Sequence, residues 1–257
     1  MAALSAAPAA PGGRPRILIA GARALYLGPG LGLSPHRNGV ASVAVALDRP
    51  FELELFEETP AKPAETLRLA LIPPNRMHRL RPQGDMAFLY LDALSDDLTV
   101  LTQRIAEAAA DDGLFAGLRA LRGQAAVSRQ DFDGALGLFG IGPARMRMGA
   151  VAEIVRLIDR RPQDFGPVAE AARLANLSAS RFQRVFRAET GVPYRRYRLW
   201  RRMAVVAASL SAGASLTEAA LDAGFGGSAH LSAAFRAMFG IMPSLLLSLG
   251  TEIRPLD

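Results

Sequence analysis

The sequence contains no cysteine, which excludes disulfide staples and thiolate metal sites. Lysine is nearly missing too: Lys62 is the only one, so cationic character rests on arginine. No apolar run reaches the roughly 18 residues that span a bilayer, and a membrane partner is not expected. Met1 to Pro11 is rich in Ala and Pro, with no basic start and no sustained apolar core, unlike a secretory signal. A cytoplasmic protein is the expectation.

What is present is ample apolar material. Of 257 residues, 50% are hydrophobic, enough for one large domain or two ordinary ones. The formal net charge of +6 is uneven. Residues 1–147 hold 16 basic and 15 acidic side chains, and residues 148–257 hold 14 and 9. Within 165–240 the balance is 10 to 4, which points to a polyanionic partner for that stretch. Arginine is abundant throughout, so its placement matters more than its number.

The same stretch contains one pattern written twice. Val168, Ala172, Asn176 and Leu177 recur 48 positions later as Leu216, Ala220, Gly224 and Phe225. Phe182, Phe186 and Gly191 recur 49 positions later as Leu231, Phe235 and Gly240. A period shared by apolar and turn positions marks a duplicated unit. Each copy reads as two short helices. Pro167 suits a first helical position, Asn176 and Gly224 suit a left-handed turn, and Ser178 can cap the helix that follows. Ser215-Leu216-Thr217-Glu218 is a capping box. Ala172 and Ala220 are small where two helices must cross. This is helix-turn-helix geometry, whose second helix enters the major groove. Between the copies, Pro193 to about Leu210 predicts one helix of roughly 25 Å, in the range needed to hold two reading helices about one DNA turn apart. Arg195, Arg196, Arg198, Arg201 and Arg202 decorate it, while Tyr197, Trp200, Ala204 and Val205 can bury.

Upstream, residues 1–14 read as a disordered arm. Residues 15–94 alternate short apolar segments with turns. The candidate strands are Ile17 to Ile19, Val40 to Leu47, Phe51 to Phe56, Leu67 to Ile72 and Met86 to Leu91. Val43 to Leu47 and Phe51 to Leu55 alternate with period two, as half-buried strands do. Evenly spaced strands without intervening helices predict a small antiparallel barrel or sandwich. From Ser95, which can cap, the texture turns helical, with Asp96 and Asp97 in the first turn and further helices over 114–121 and 130–138. Residues 95–142 form a helical connector, packing onto the barrel or pairing with a second copy. Gly140-Ile141-Gly142-Pro143 breaks the chain before one amphipathic helix carrying Val151, Ile154, Val155 and Ile158.

The duplicated unit resembles the DNA-binding domain of the AraC/XylS family of transcription regulators. The residues that carry the resemblance are Ala172, Leu177-Ser178, Phe182 to Arg187, Thr190-Gly191-Val192-Pro193 and Tyr197 to Arg201, then Ala220, Gly224-Phe225, Ala229 to Ser232, Phe235-Arg236 and Phe239 to Pro243. The match covers about 85 residues in register. It implies an α+β chain: an N-terminal antiparallel β-barrel of cupin type with trailing helices, then an all-α domain at 148–250, with helix-turn-helix units at about 165–191 and 215–240. It also implies double-stranded promoter DNA as partner, with RNA polymerase, a small-molecule effector and a homodimer mate as further candidates.

Ser180, Arg181, Gln183, Arg184 and Arg187 form the outward face of the first reading helix. Arginine and glutamine in bidentate reach suit guanine and adenine respectively, which fits Arg184 and Gln183, whereas Arg187 suits a phosphate. By similarity to the family, Ser180, Gln183 and Arg184 read bases. The second reading helix departs from the pattern. Ala229 and Ala233 replace polar positions, leaving Ser228, His230, Ser232 and Arg236, so backbone contacts are expected there. Met242 and Leu247 also depart, at positions near the end of the domain.

Pro35-His36-Arg37 and the run Leu71 to Leu80 look like the cupin-type barrel that often precedes such a domain. Enzymatic cupins bind metal through a His-x-His cluster with a later Glu and His. Only His36 and His78 are present here, with Asn38 at the second histidine's place, which falls short of a metal site. No cofactor, catalytic residue or metal ligand is assigned, and no ligand-binding residue is named. Two other readings stay open: a metal-dependent cupin enzyme fused to a DNA-binding domain, and an adaptor with a degenerate second module.

Overall fold

Residues 13–56, 63–144 and 149–256 are described in the computed structural model; most of the N-terminal arm (1–14) and Met148, the expected first residue of the second domain, lie outside them. The first strands are β1 (Arg16–Ala20), β2 (Arg23–Pro29), β3 (His36–Arg37), β4 (Ser42–Ala46) and β5 (Phe51–Leu55). They are followed by β6 (Glu65–Leu67), β7 (Leu69–Ile72), β8 (Met77–Arg81) and β9 (Asp85–Tyr90). β2, β3 and β8 were not among the expected segments: charged residues interrupt β3 and β8, while β2 is an almost continuous apolar run buried on both faces, with no alternation to read.

The strands do not close into a barrel. They form two sheets, ordered β10-β1-β2-β9-β4-β7 and β3-β8-β5-β6, where β10 (Glu252–Pro255) comes from the far end of the chain. It pairs parallel to β1, with Arg16 opposite Glu252, while the other pairings are antiparallel. β4 explains the architecture. Its Val43 and Val45 face one apolar cluster and its Ala44 and Ala46 another. The strand is thus buried on both faces, not half-buried as its alternation suggested. One face of the larger sheet packs on α1 (Asp97–Ala110), α2 (Asp112–Gly123) and α3 (Arg129–Leu138) through Leu101, Phe115, Leu118 and Phe132. The other packs on the smaller sheet through Phe51, Leu53 and Leu80.

α1 begins one step later than its capping residues suggested. Asp96 is the N-cap but makes no side-chain cap bond, and Ser95 Oγ accepts from Asp97 N instead. Asp97 does not serve the helix dipole from solvent. It is buried, accepting from Arg23 Nε at 2.8 Å and Nη2 at 2.5 Å.

The second half holds α4 (Ala152–Arg160), α5 (Val168–Leu174), α6 (Ala179–Thr190), α7 (Tyr194–Ser211), α8 (Leu216–Asp222), α9 (Ser228–Phe239) and α10 (Pro243–Ser248). Its core gathers Ile154, Val155, Phe182, Phe186, Tyr197, Leu231 and Met238 around the two small crossing residues Ala172 and Ala220. The copies share their turn bond though not their helix caps. Leu177 N donates to Ala172 O at 2.9 Å, and Phe225 N to Ala220 O at 2.8 Å. Asn176 and Gly224 take φ of 54° and 74°, and Gly191 and Gly240 end α6 and α9 at 75° and 77°. Pro167 stands at the N-cap of α5, one position before the helix.

Candidate nucleic-acid interface

α6 is amphipathic by simple spacing. Phe182 and Phe186 are buried four apart, which turns Ser180, Arg181, Gln183, Arg184 and Arg187 out to solvent. Ser178 fixes the helix start, its Oγ accepting from Arg181 N at 3.3 Å. Ser180, Gln183, Arg184 and Arg187 line an open groove with Arg195 and Arg198 of α7 and with the Gly166-Pro167 turn before α5. Among the described residues no carboxylate pairs with Arg181, Arg184, Arg187 or Arg195, so the groove keeps its positive charge.

The second reading helix is different. Ser228 and Ser232 are half-buried, and Ala229, His230, Ala233 and Arg236 are exposed. His230 lies edge-on to Phe225, with ring centroids 5.3 Å apart, and its Nδ1 accepts from Gly226 N at 3.3 Å. That bond uses one ring nitrogen to hold the turn. α9 also packs against β3, and Ser34 donates to Gly240 O from its N at 2.9 Å and from its Oγ at 2.7 Å.

The arginines of α7 are mostly not surface decoration. Arg195 alone of the five is exposed. Arg196 Nη1 donates to Arg37 O at 2.6 Å, joining α7 to β3. Arg198 Nη1 donates to Phe165 O at 2.6 Å and also to Gly166 O, fixing the turn before the first unit. Arg201 pairs with Asp159 at 2.8 Å and donates to Gly21 O at 3.1 Å. Arg202 Nε donates to Ala223 O at 2.6 Å while its guanidinium lies 3.8 Å above the Phe225 ring. α7 thereby ties both reading units to each other and to the sheets. Tyr197 adds a bond to Asp159 at 2.7 Å, and burial lifts the phenol well above its ordinary pKa.

A second concavity lies where the halves meet. Ile17, Ile19, Tyr26 and Tyr90 from the large sheet face Trp200, Met203 and Ala207 of α7 and Phe239 of α9 across an apolar cavity of about 120 Å³. Sequence reasoning named none of these as a site. The readable signal was β1, which is apolar at 17, 18 and 19, so both its faces needed a partner.

His36 and His78 lie with ring centroids 4.2 Å apart and tilted by 55°, each Nδ1–H donating to a carbonyl, of Ser34 and Arg76 respectively, at 2.9 Å. Burial, and then the neighbouring imidazole, lower the His36 pKa to about 4. No group of three metal-ligating side chains occurs among the described residues. No helix among them is long and apolar enough to cross a membrane.

Comparison with known proteins agrees with this geometry. Residues 171–248 match a family model described as a helix-turn-helix domain. No curated protein matches the chain. Among solved structures, the chain is similar to ToxT from Vibrio cholerae O395, with TM-score 0.58, 10% identity and coverage of 89% of this chain and 98% of that one. It is also similar to ToxT bound to (E)-4-(8-methylnaphthalen-1-yl)but-3-enoic acid, with TM-score 0.59, 10% identity and coverage of 88% and 99%. Unsaturated fatty acid bound ToxT from strain SCE256 is a further neighbour, with TM-score 0.50, 12% identity and coverage of 88% and 95%. The chain thus has the ToxT fold across both halves, and residues 171–248 are a helix-turn-helix domain.

Proposed function

We propose that this chain is a sequence-specific DNA-binding transcription regulator, acting in the cytoplasm, whose effector is a small molecule held between its two halves. The observation that carries the reading is the exposed face of α6: Arg181, Arg184 and Arg187 have no carboxylate partner among the described residues and stand beside Gln183 on a helix framed by a helix-turn-helix unit. Such a face suits the major groove, with Arg184 and Gln183 to base edges and Arg187 and Arg195 to phosphates. Double-stranded promoter DNA is the partner. RNA polymerase and a second copy of the chain are further partners in this reading.

The cavity supports the effector half. Neighbours of the same fold are described with an unsaturated fatty acid or a naphthalenyl butenoic acid bound. Here α7 forms one wall with Trp200 and Met203, and the same helix holds both reading units through Arg198 and Arg202. An occupant that displaces α7 changes the spacing of α6 and α9, which is the differential contact a ligand needs to shift an equilibrium. A catalytic role is not part of this reading; the Nδ1 of His36 and of His78 is each given to a backbone carbonyl.

The test is binding to the protein's own promoter region across a salt series, for the native chain and Arg184→Ala. The substitution should cost about 1–3 kcal/mol and relax preference at one base pair. Unchanged affinity and sequence preference would remove Arg184 from the reading face. A second reading, a one-unit reader or adaptor, is favoured by Ala229 and Ala233 on the exposed side of α9. Footprinting separates them, since two protected major-groove segments one turn apart contradict the adaptor.

A further inference from the structure

The cavity between the halves has two cations in its lining, Arg23 and Arg201. Neither is available to a ligand. Arg23 gives Nε and Nη2 to Asp97 and Nη1 to Gly142 O at 3.1 Å, with both members of the ion pair buried. Arg201 is held by Asp159 and by Gly21 O. Removing a partner from a buried ion pair leaves a charge uncompensated, which is among the costliest changes a protein interior undergoes. An incoming carboxylate would have to displace Asp97 or Asp159, or enter an apolar site unpaired. The rest of the wall is aliphatic or aromatic. Its phenols, Tyr26 and Tyr90, are neutral, burial moving both still further from ionisation, and Tyr26 already donates to Pro29 O at 2.9 Å.

We infer that this cavity takes a compact neutral apolar molecule, a hydrocarbon, alcohol or ketone, and discriminates against anions. The inference rests on the proposal that the cavity is an effector site. The size agrees: about 120 Å³ is on the scale of the ~150 Å³ engineered apolar cavity that stays dry and takes benzene.

Trp200 is the chain's one tryptophan and lies in the wall, 5.1 Å from the Tyr90 ring, so its emission reports occupancy. The experiment titrates the full chain at neutral pH with cyclohexanol and 1-octanol against cyclohexanecarboxylate and octanoate, none of which absorbs with tryptophan. Ala207→Phe, which fills the cavity, is the control. Saturable changes are expected with the alcohols, lost in Ala207→Phe, and at least about tenfold weaker binding of each carboxylate. Asp97→Asn frees Arg23 and should move the ratio toward the carboxylate. Asp159→Asn frees Arg201 and serves if Asp97→Asn fails to fold. Carboxylates binding as tightly as alcohols to the native chain, or a ratio unmoved in both Asn variants, would overturn the inference while leaving the effector site standing. A signal absent from all four titrations, or persisting in Ala207→Phe, would overturn the effector site and the inference with it.

Discussion

His36 sets a pH limit on the fold. An unfolded histidine takes its proton near 6.5, while burial holds this one back to about 4. Between those values the unfolded chain binds more protons, so stability rises with pH. The contribution is complete above about 6.5 and is lost as pH falls toward 4. His36 alone should remove about 2 kcal/mol of unfolding free energy between pH 7 and pH 5, read from urea midpoints, and His78, also lowered by burial, pushes the same way. His36→Gln should flatten that slope. Residue by residue, the outward face of α6 was legible because Phe182 and Phe186 fix which side is inward. The α7 arginines were misread as a basic surface. Arg198 and Arg202 lie four apart, and Arg198 and Arg201 follow Tyr194 and Tyr197 at four-residue spacing, on the buried stripe. Charge suggested exposure, and spacing would have corrected it.

At the level of elements, the two helix-turn-helix units share a backbone but not surroundings. Gly191 and Gly240 end α6 and α9 in the same left-handed conformation, where any side chain costs about 1–2 kcal/mol. A Cβ at Gly191 would lie 3.4 Å from Pro74, in tolerable contact. At Gly240 it would meet His36 Nδ1 and the Ser34 carbonyl, each at 2.7 Å. Gly240→Ala should therefore destabilise the chain clearly more than Gly191→Ala in thermal or urea unfolding, and equal losses would contradict the seating of α9 on β3. The turns and two of the caps were legible because they are local: Ser178, Asn176, Ser215 and Gly224 each act within a few residues. The docking of α9 was not, because it depends on a strand two hundred positions away.

At the scale of the whole molecule, some strands were legible, β2, β3, β8 and β10 were not, and neither was their arrangement. Alternation gives a strand its faces but no partner, and four residues ending in Pro255 carry no periodicity at all. Yet β10 completes the large sheet, with Arg16 bonded to Glu252 at 3.2 Å and Leu256 N to Ile19 O at 2.7 Å. Ending the chain before residue 251 should lower the thermal midpoint and speed amide exchange in β1 and β2 more than in α6. Equal exchange across the molecule would show that β10 is dispensable. The pairing also has a meaning in time. During synthesis the N-terminal strands leave the ribosome first, but β1 keeps an open edge until residues 252–255 follow. The half that emerges first is therefore finished last, and a chain that stalls within the reading helices leaves that edge free to pair with a neighbour.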